Sequence, residues 1–280
     1  MHVSEINIYP IKSLKGIALR SAVVERRGFE FDRRWVIVDP AGKFLTQREL
    51  PKMATIKVSV WGDCLDVSSN GSGTLRIEPL FEGPRVATAV WERAGDAIRY
   101  DVDTNEWFSD VLGTEVELRY MPDDAGRPVR PVFSLDDDKV GFADAYPVLL
   151  ANAASMADLN SRMPTPLPMN RFRPNLVVGG ADAWAEDGWS RIKVGDAVFR
   201  VVKPSDRCVV TTIDQAKGES GGKEPLKTLA TFRMSKDVFP DRFEAFGLPP
   251  NSVLFAENLI PDTPGVQVNV GDAVEVLETR

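Results

Sequence analysis

Apolar residues come along this chain mostly in short runs bounded by turn-forming residues, the texture of strands rather than of long helices. Residues 18–24 are rich in aliphatics. Residues 34–38 (Arg-Trp-Val-Ile-Val) run into Asp39-Pro40-Ala41-Gly42 and then into 43–47 (Lys-Phe-Leu-Thr-Gln). An extended run, a Pro/Gly turn and a second extended run predict a hairpin. Residues 56–61, a turn at Gly62-Asp63, 64–67 and a Gly71-Ser72-Gly73 loop continue the pattern, followed by strands at 74–77, 86–90 and 97–100. The second half repeats the texture at 176–178, 197–203, 208–213, 253–256 and 274–277. So many strands at short spacing predict a barrel or sandwich. Val-Gly-Asp-Ala-Val occurs at 194–198 and again at 270–274. Gly-Asp before an apolar run is turn chemistry, so both copies are read as strand-entry turns and not as a structural repeat.

Two segments break the pattern. Residues 104–112 put Trp107, Phe108, Val111 and Leu112 on one helical face, with Asp103 as the expected N-cap, Glu106 as its capping-box partner and Gly113 as the stop. Residues 153–162 repeat Met156, Leu159 and Met163 at helical spacing, which reads as core packing. Between the helices, residues 121–139 carry Pro122, Pro128, Pro131 and the run Asp136-Asp137-Asp138, the composition of an exposed linker with a solvated acidic stretch. The expected division is therefore 1–121 and 122–280.

Composition narrows the chemistry. The 280 residues hold 34 bases and 41 acids, a net charge of −7, which argues against a nucleic-acid or anionic-membrane binder while leaving room for a locally basic pocket. His2, at the very start of the chain, is the single histidine, which argues strongly against a Ser-His-Asp triad, a Cys-His dyad or a multi-histidine metal site. Cys64 and Cys208 are too few for an all-thiolate zinc site or an iron–sulfur cluster. No run approaches the ~18 apolar residues of a membrane span, and the first residues lack the basic start and long apolar run of a signal peptide. A reduced, cytoplasmic setting is the expectation.

Several motifs fail on inspection. Gly218-Glu219-Ser220-Gly221-Gly222 matches a nucleophile elbow, but no histidine follows it. Gly222-Lys223 imitates the end of a phosphate loop, yet Lys217 and Glu224 stand where a glycine and a hydroxyl are needed, and a flexible glycine loop is the better reading. Asp101, Asp103 and Asn105 open like a calcium loop that lacks its glycine and its last glutamate. Residues 206–214 (Asp-Arg-Cys-Val-Val-Thr-Thr-Ile-Asp) survive. Arg207 precedes a thiol, hydroxyls follow it, and a cation beside a thiol favours the nucleophilic, metal-binding thiolate. Two further segments suit an anion. Residues 9–14 (Tyr-Pro-Ile-Lys-Ser-Leu) offer a cation, a hydroxyl and loop amides, and residues 170–175 (Asn-Arg-Phe-Arg-Pro-Asn) offer two arginines and two amides. Arg33 and Arg34 add positive charge.

These motifs, in this order, resemble the MOSC (molybdenum cofactor sulfurase C-terminal) family, and within it the branch of the amidoxime-reducing components. The resemblance covers nearly the whole chain: 9–13, 32–35 and 44–48 are similar to the family's N-terminal β-barrel domain, and 157–162, 172–175, 207–214 and 223–229 to the MOSC domain. It implies a mainly β fold with some α, an N-terminal β-barrel domain plus a β-barrel MOSC domain with peripheral helices. It also implies a molybdenum cofactor (Mo-molybdopterin) whose metal is held by the pterin dithiolene and by Cys208. By motif position, Lys12, Ser13, Arg33, Arg173, Arg207 and Thr211 become cofactor contacts. Asp144 and Asp206 line the metal pocket with catalytic roles, Asp206 standing where the branch often has a serine. The implied activity is reductive removal of oxygen from N-hydroxylated compounds (amidoximes, hydroxylamines, N-hydroxylated bases), with protons from water or from Asp144 and Asp206. The chain ends without the cysteines of an appended cluster domain, so electrons are expected from a separate ferredoxin- or flavoprotein-type donor. No nucleic-acid polymer and no membrane is expected as partner. The alternatives are a carrier of persulfide sulfur or of the cofactor without turnover, and a barrel whose site has decayed.

Overall fold

The computed structural model describes residues 1–130 and 132–280; Pro131, one of the three prolines of the expected linker, lies outside the described residues. The chain is mainly β, with curled sheets and few helices. The largest sheet has eight strands in the order Ile17–Leu19, His2–Ile8, Leu176–Gly179, Val148–Asn152, Leu254–Pro261, Ala197–Asp206, Trp189–Val194 and Val274–Thr279. One pairing is parallel, between Val148–Asn152 and Leu176–Gly179. Parallel neighbours need a crossover, and the helix Ala153–Ser161 lies in it. Its N-cap Asn152 accepts from the Ala154 amide, and Met156, Leu159 and Met163 are buried. The first two strands of the chain thus belong to a sheet built largely by its second half.

The remaining first half makes a four-stranded sheet, in the order Trp35–Val38, Glu117–Tyr120, Arg93–Arg99 and Arg85–Val90, and a three-stranded one from Lys57–Trp61, Cys64–Ser68 and Thr74–Ile77. Their inner faces share a core with Phe108 and Leu112 of the helix Val102–Leu112. Burying a side chain such as Phe108 stabilises by roughly 2–3 kcal/mol. A second core lies on the eight-stranded sheet, around Ile6, Ile8, Leu150, Phe199 and Leu259.

Five expectations need correction. The first helix is capped by Asp101, which accepts from the Thr104 amide, and begins two residues before the expected 104; Gly113 ends it in the left-handed region at φ 70°. In the hairpin after Val38, Gly42 closes the turn on Asp39, but the return arm keeps only the bridge Val38–Phe44. Of the expected strand 208–213, only Ile213 is extended and paired. Val209–Thr212 is a 3-10 turn, because the hydroxyls of Thr211 and Thr212 donate to the carbonyls of Cys208 and Val209. That local bonding overrides the β-propensity of the Val-Val-Thr-Thr run. The linker is not exposed throughout: Met121, Arg127 and Val129 are buried, Arg127–Pro128 pairs with Lys139–Val140, and Asp138 is bonded to Arg200. The glycine-rich stretch is also structured. Glu219–Ser220 pairs with Ile213–Asp214, and Gly218, at φ 67°, lies so close to Lys52 that a Cβ would meet its Cα at 2.9 Å.

The last strand ends on an interior charge pair. Glu257 is fully buried, and Arg280 Nη2 stands 2.6 Å from its Oε2 without the alignment of a hydrogen bond. Arg280 Nε donates to the Asp187 carbonyl. Burial pushes the Glu257 carboxyl up to about 8, only partly opposed by Arg280. An acid whose folded value is raised contributes stability that is full below its unfolded value of about 4.3 and falls as pH rises towards 8. Glu257→Gln is therefore expected to flatten this part of the curve. Melting temperatures at pH 5 and pH 8 should differ less for the variant than for the parent, and an equal difference in both would show that the native carboxyl is already ionised.

Candidate functional site

The site begins where the strand His2–Ile8 ends. Tyr9 turns the chain inward, its amide donating to Asp32 Oδ1 at 2.7 Å and its hydroxyl to the Pro174 carbonyl at 3.1 Å. Gly16 permits this, since a Cβ there would sit 2.4 Å from the Tyr9 ring. The guanidinium carbons of Arg33 and Arg173 lie 4.3 and 4.2 Å from the centroid of that ring. Burial pushes the phenol up to about 12, although both arginines pull it back, so Tyr9 stays neutral. Arg33 donates to Asp32 Oδ2 and to Asn175 Oδ1, and Arg173 to the Leu14 carbonyl. Burial, with Arg33 adding repulsion, lowers Arg173 to about 10, which keeps it cationic at neutral pH. Ser13, Arg33 and Arg173 all sit at positive φ, 70°, 49° and 55°. Non-glycine residues rarely hold that conformation, and the surrounding bonds keep it here.

Lys12 follows on the same loop. Its ammonium donates to the Phe142 carbonyl at 2.9 Å and to Asp144 Oδ1 at 2.6 Å. Burial lowers the lysine, while Asp144 opposes the shift. For Asp144, burial would raise the carboxyl, but Lys12 and then Arg48 overcome it and hold the group well below the usual carboxylate range. Its side chain is still 56% exposed, so solvent screens the pair and no stability is assigned to it.

Cys208 caps the 3-10 turn, partly exposed. Arg48 Nη2 donates to its Sγ at 3.1 Å, and the Arg48 guanidinium lies 5.0 Å from the centroid of the Trp91 ring. Arg207 donates to Ser205 Oγ and the Phe172 carbonyl, with burial lowering its pKa. These groups open on one cavity of about 550 Å³. Of the residues singled out from sequence, Lys12, Ser13, Arg33, Asp144, Arg173, Asp206, Arg207 and Cys208 line it together. Thr211 does not. Its side chain is fully buried, and its hydroxyl is used within the turn that presents Cys208. Arg34 and Arg171 are likewise outside, bonded to Met121 and Asp123 and to Thr212 and Asp214.

Sequence reasoning missed Arg48, Trp91, Arg130 and Lys203, which also line the cavity. Arg48 lay inside a quoted motif, but nothing local links it to a sulfur 160 positions away. Seven basic side chains line the wall against the two acids Asp144 and Asp206, in a chain whose net charge is −7. Such a surplus fits a ligand with several negative charges. The wall also presents one thiol, and it is large enough for a cofactor. A molybdopterin with its phosphate and dithiolene therefore fits the residues present. Among the described residues no group of three or more His, Cys, Asp and Glu gathers as an all-protein metal site, and no helix is long and apolar enough to cross a membrane.

Comparison with known proteins identifies the family. Residues 1–115 match the MOSC N-terminal beta barrel domain, and residues 137–275 match the MOSC domain. Mitochondrial amidoxime-reducing component 1 of Homo sapiens is 30% identical over 286 residues, covering 98% of this chain and 82% of that protein. Its counterpart in Danio rerio is 32% identical over 246 residues, covering 83% and 75%. Molybdenum cofactor sulfurase of Oryza sativa is 29% identical over 269 residues, covering 84% of this chain but 31% of that protein. Two domain matches in the expected order, with a relative of this similarity spanning almost the full length, place the chain in the MOSC family, beside the amidoxime-reducing components.

Proposed function

We propose that this protein is a molybdenum-cofactor-dependent reductase of N-hydroxylated compounds, with Cys208 as the protein ligand to the metal. The observation that carries the reading is a partly exposed thiol on the wall of a cation-rich cavity, held there by a turn of its own and faced by Arg48. In this reading Ser13, Arg33 and Arg173 hold the pterin and its phosphate, and Lys12 closes that end. The bound cofactor supplies a metal that takes up an oxygen atom and two electrons' worth of redox change. The reaction balances as R–N–OH plus two electrons and two protons giving R–N–H and water.

The chain's own task is to place the substrate and manage protons. Asp144 enters as a carboxylate, because Lys12 and Arg48 hold it ionised at neutral pH. It therefore accepts hydrogen bonds from the N–OH group and does not supply the proton itself. The proton of the pair resides on Lys12, which burial makes a better donor than an ordinary lysine. Asp206, more than half exposed and 3.7 Å from Lys203, connects the cavity to solvent. Two cysteines do not hold a cluster, so electrons come from a separate ferredoxin- or flavoprotein-type donor, in a cytoplasmic setting. The test is molybdenum content together with reduction of benzamidoxime by reduced methyl viologen. One molybdenum per chain and formation of benzamidine are expected; a fully loaded protein that reduces neither an amidoxime nor a hydroxylamine would refute the proposal.

A further inference from the structure

One part of the cavity lining holds donors whose protein acceptors are few, long or absent. Lys203, on the strand Ala197–Asp206, is only 3% exposed, and its acid partner is Asp206 at 3.7 Å, beyond hydrogen-bond reach. Tyr146, on the segment leading into Val148–Asn152, is 5% exposed, and its hydroxyl has no partner among the described residues. Arg130 is exposed and pairs with no carboxylate among the described residues. Lys203, Tyr146 and Arg130 all line the cavity. Arg93 stands next to them, reaching the Asp144 carbonyl at only 3.5 Å with Nη2 and leaving Nη1 buried and unpaired. Arg130, Tyr146 and Lys203 share one lining with Asp144, the residue that Arg93 bonds, which brings the four to the same cavity.

Buried donors without acceptors are costly, and native proteins rarely keep several together. The other cations of the lining differ. Arg33 and Arg173 are tied to Asp32, Asn175 and Leu14 by fixed bonds, and Lys12 to Asp144. Asp144 stands between the two groups, its carboxylate bonded to Lys12 and its carbonyl to Arg93. Tyr146 Oη and Arg93 Nη1 are the two buried donors left open, and a ligand in the cavity would supply their acceptor. We infer that Arg93, Arg130, Tyr146 and Lys203 form an anion subsite for the substrate, so that the N-hydroxylated compound carries a carboxylate or a phosphate-type group apart from its N–O group. The substrate class rests on the reductase reading; the anion subsite itself does not.

The experiment uses the molybdenum-loaded protein and separates the two. Binding of benzamidine, 4-carboxybenzamidine and 4-phosphonobenzamidine, the deoxygenated products, is measured by calorimetry. Reduction of the three matching amidoximes is measured alongside. At least one anionic amidine should bind about tenfold or more tighter than benzamidine, since a charge-assisted hydrogen bond is worth about that factor. Whichever of the two binds better identifies the group. Arg130→Ala, at an exposed position, and Lys203→Met should each narrow the ratio by about tenfold and leave molybdenum stoichiometric. Equal affinity for all three amidines in the parent protein overturns the subsite. So does loss of molybdenum from both variants, because this wall would then be holding the cofactor. A preference for the anionic amidine without reduction of any amidoxime keeps the subsite and removes the reductase.

Discussion

Cys208→Ser is expected to remove molybdenum from the purified protein and with it amidoxime reduction, by about a thousandfold or more, roughly 4 kcal/mol of barrier. The substitution changes one atom. Serine matches cysteine in shape, the side chain is partly exposed, and the turn around it is fixed by Thr211 and Thr212. The melting temperature should therefore stay within a degree or two of the cofactor-free parent, because surface changes away from packed features are nearly neutral. What changes is ligand character. A thiolate forms readily beside cations and is a soft donor, whereas a serine hydroxyl keeps its proton and is hard. Arg48, which donates to the sulfur, would be left with a neutral oxygen. X-ray absorption should lose one metal–sulfur contact in whatever cofactor remains. Cyanide-releasable sulfur on Cys208 in material without molybdenum would favour a sulfur carrier instead. Full molybdenum with unchanged sulfur coordination in the variant would sink the assignment of Cys208 altogether.

The parts of the site legible in the sequence were those in which chemistry and neighbours coincide along the chain. Lys12 and Ser13 follow a strand at once, Arg33 adjoins Asp32, and Arg207 and Cys208 are adjacent. Such pairs survive folding because a few bonds fix both members. Contacts made across the fold were not legible. Arg48 meets Cys208, and Trp91 meets Arg48, only because separate sheets and loops close on one cavity. The Cys208 turn was misread for a different reason. Val-Val-Thr-Thr has strand composition, but two threonine hydroxyls bonding three residues back produce a 3-10 turn, and propensity scales do not weigh that competition. The linker failed through charge. Arg127 looks like a solvent residue among prolines, yet its guanidinium is wholly enclosed.

That enclosed guanidinium makes the second large prediction, which concerns stability first and function through it. Arg127 Nε donates to the Arg93 carbonyl at 2.9 Å, Nη1 to Gly141 and Ala143 at 2.7 and 2.8 Å, and Nη2 to Val90 at 2.8 Å. It thus joins both sides of the hairpin turn carrying Trp91 to the segment that delivers Asp144. Gly95 makes room, since a Cβ there would meet Arg127 Cγ at 2.7 Å. Burial and then Arg93 lower Arg127 to about 10, which leaves it charged at neutral pH. Arg127→Met keeps the volume but orphans four carbonyls. Each buried, unpaired acceptor costs about 1–3 kcal/mol, partly relieved by relaxation, so a loss of roughly 4 kcal/mol is expected. For a chain of this size that is a fall of about 10 °C in melting temperature. Arg127→Lys should recover little of it, because an ammonium cannot spread planar donors over four acceptors. The site would feel the change as a raised KM for benzamidoxime with molybdenum retained, since Trp91 and Asp144 lose their common anchor while Cys208 keeps its turn. A methionine variant melting within about 2 °C of the parent would mean that these carbonyls find other partners. The clamp would then be incidental to how the cavity is held open.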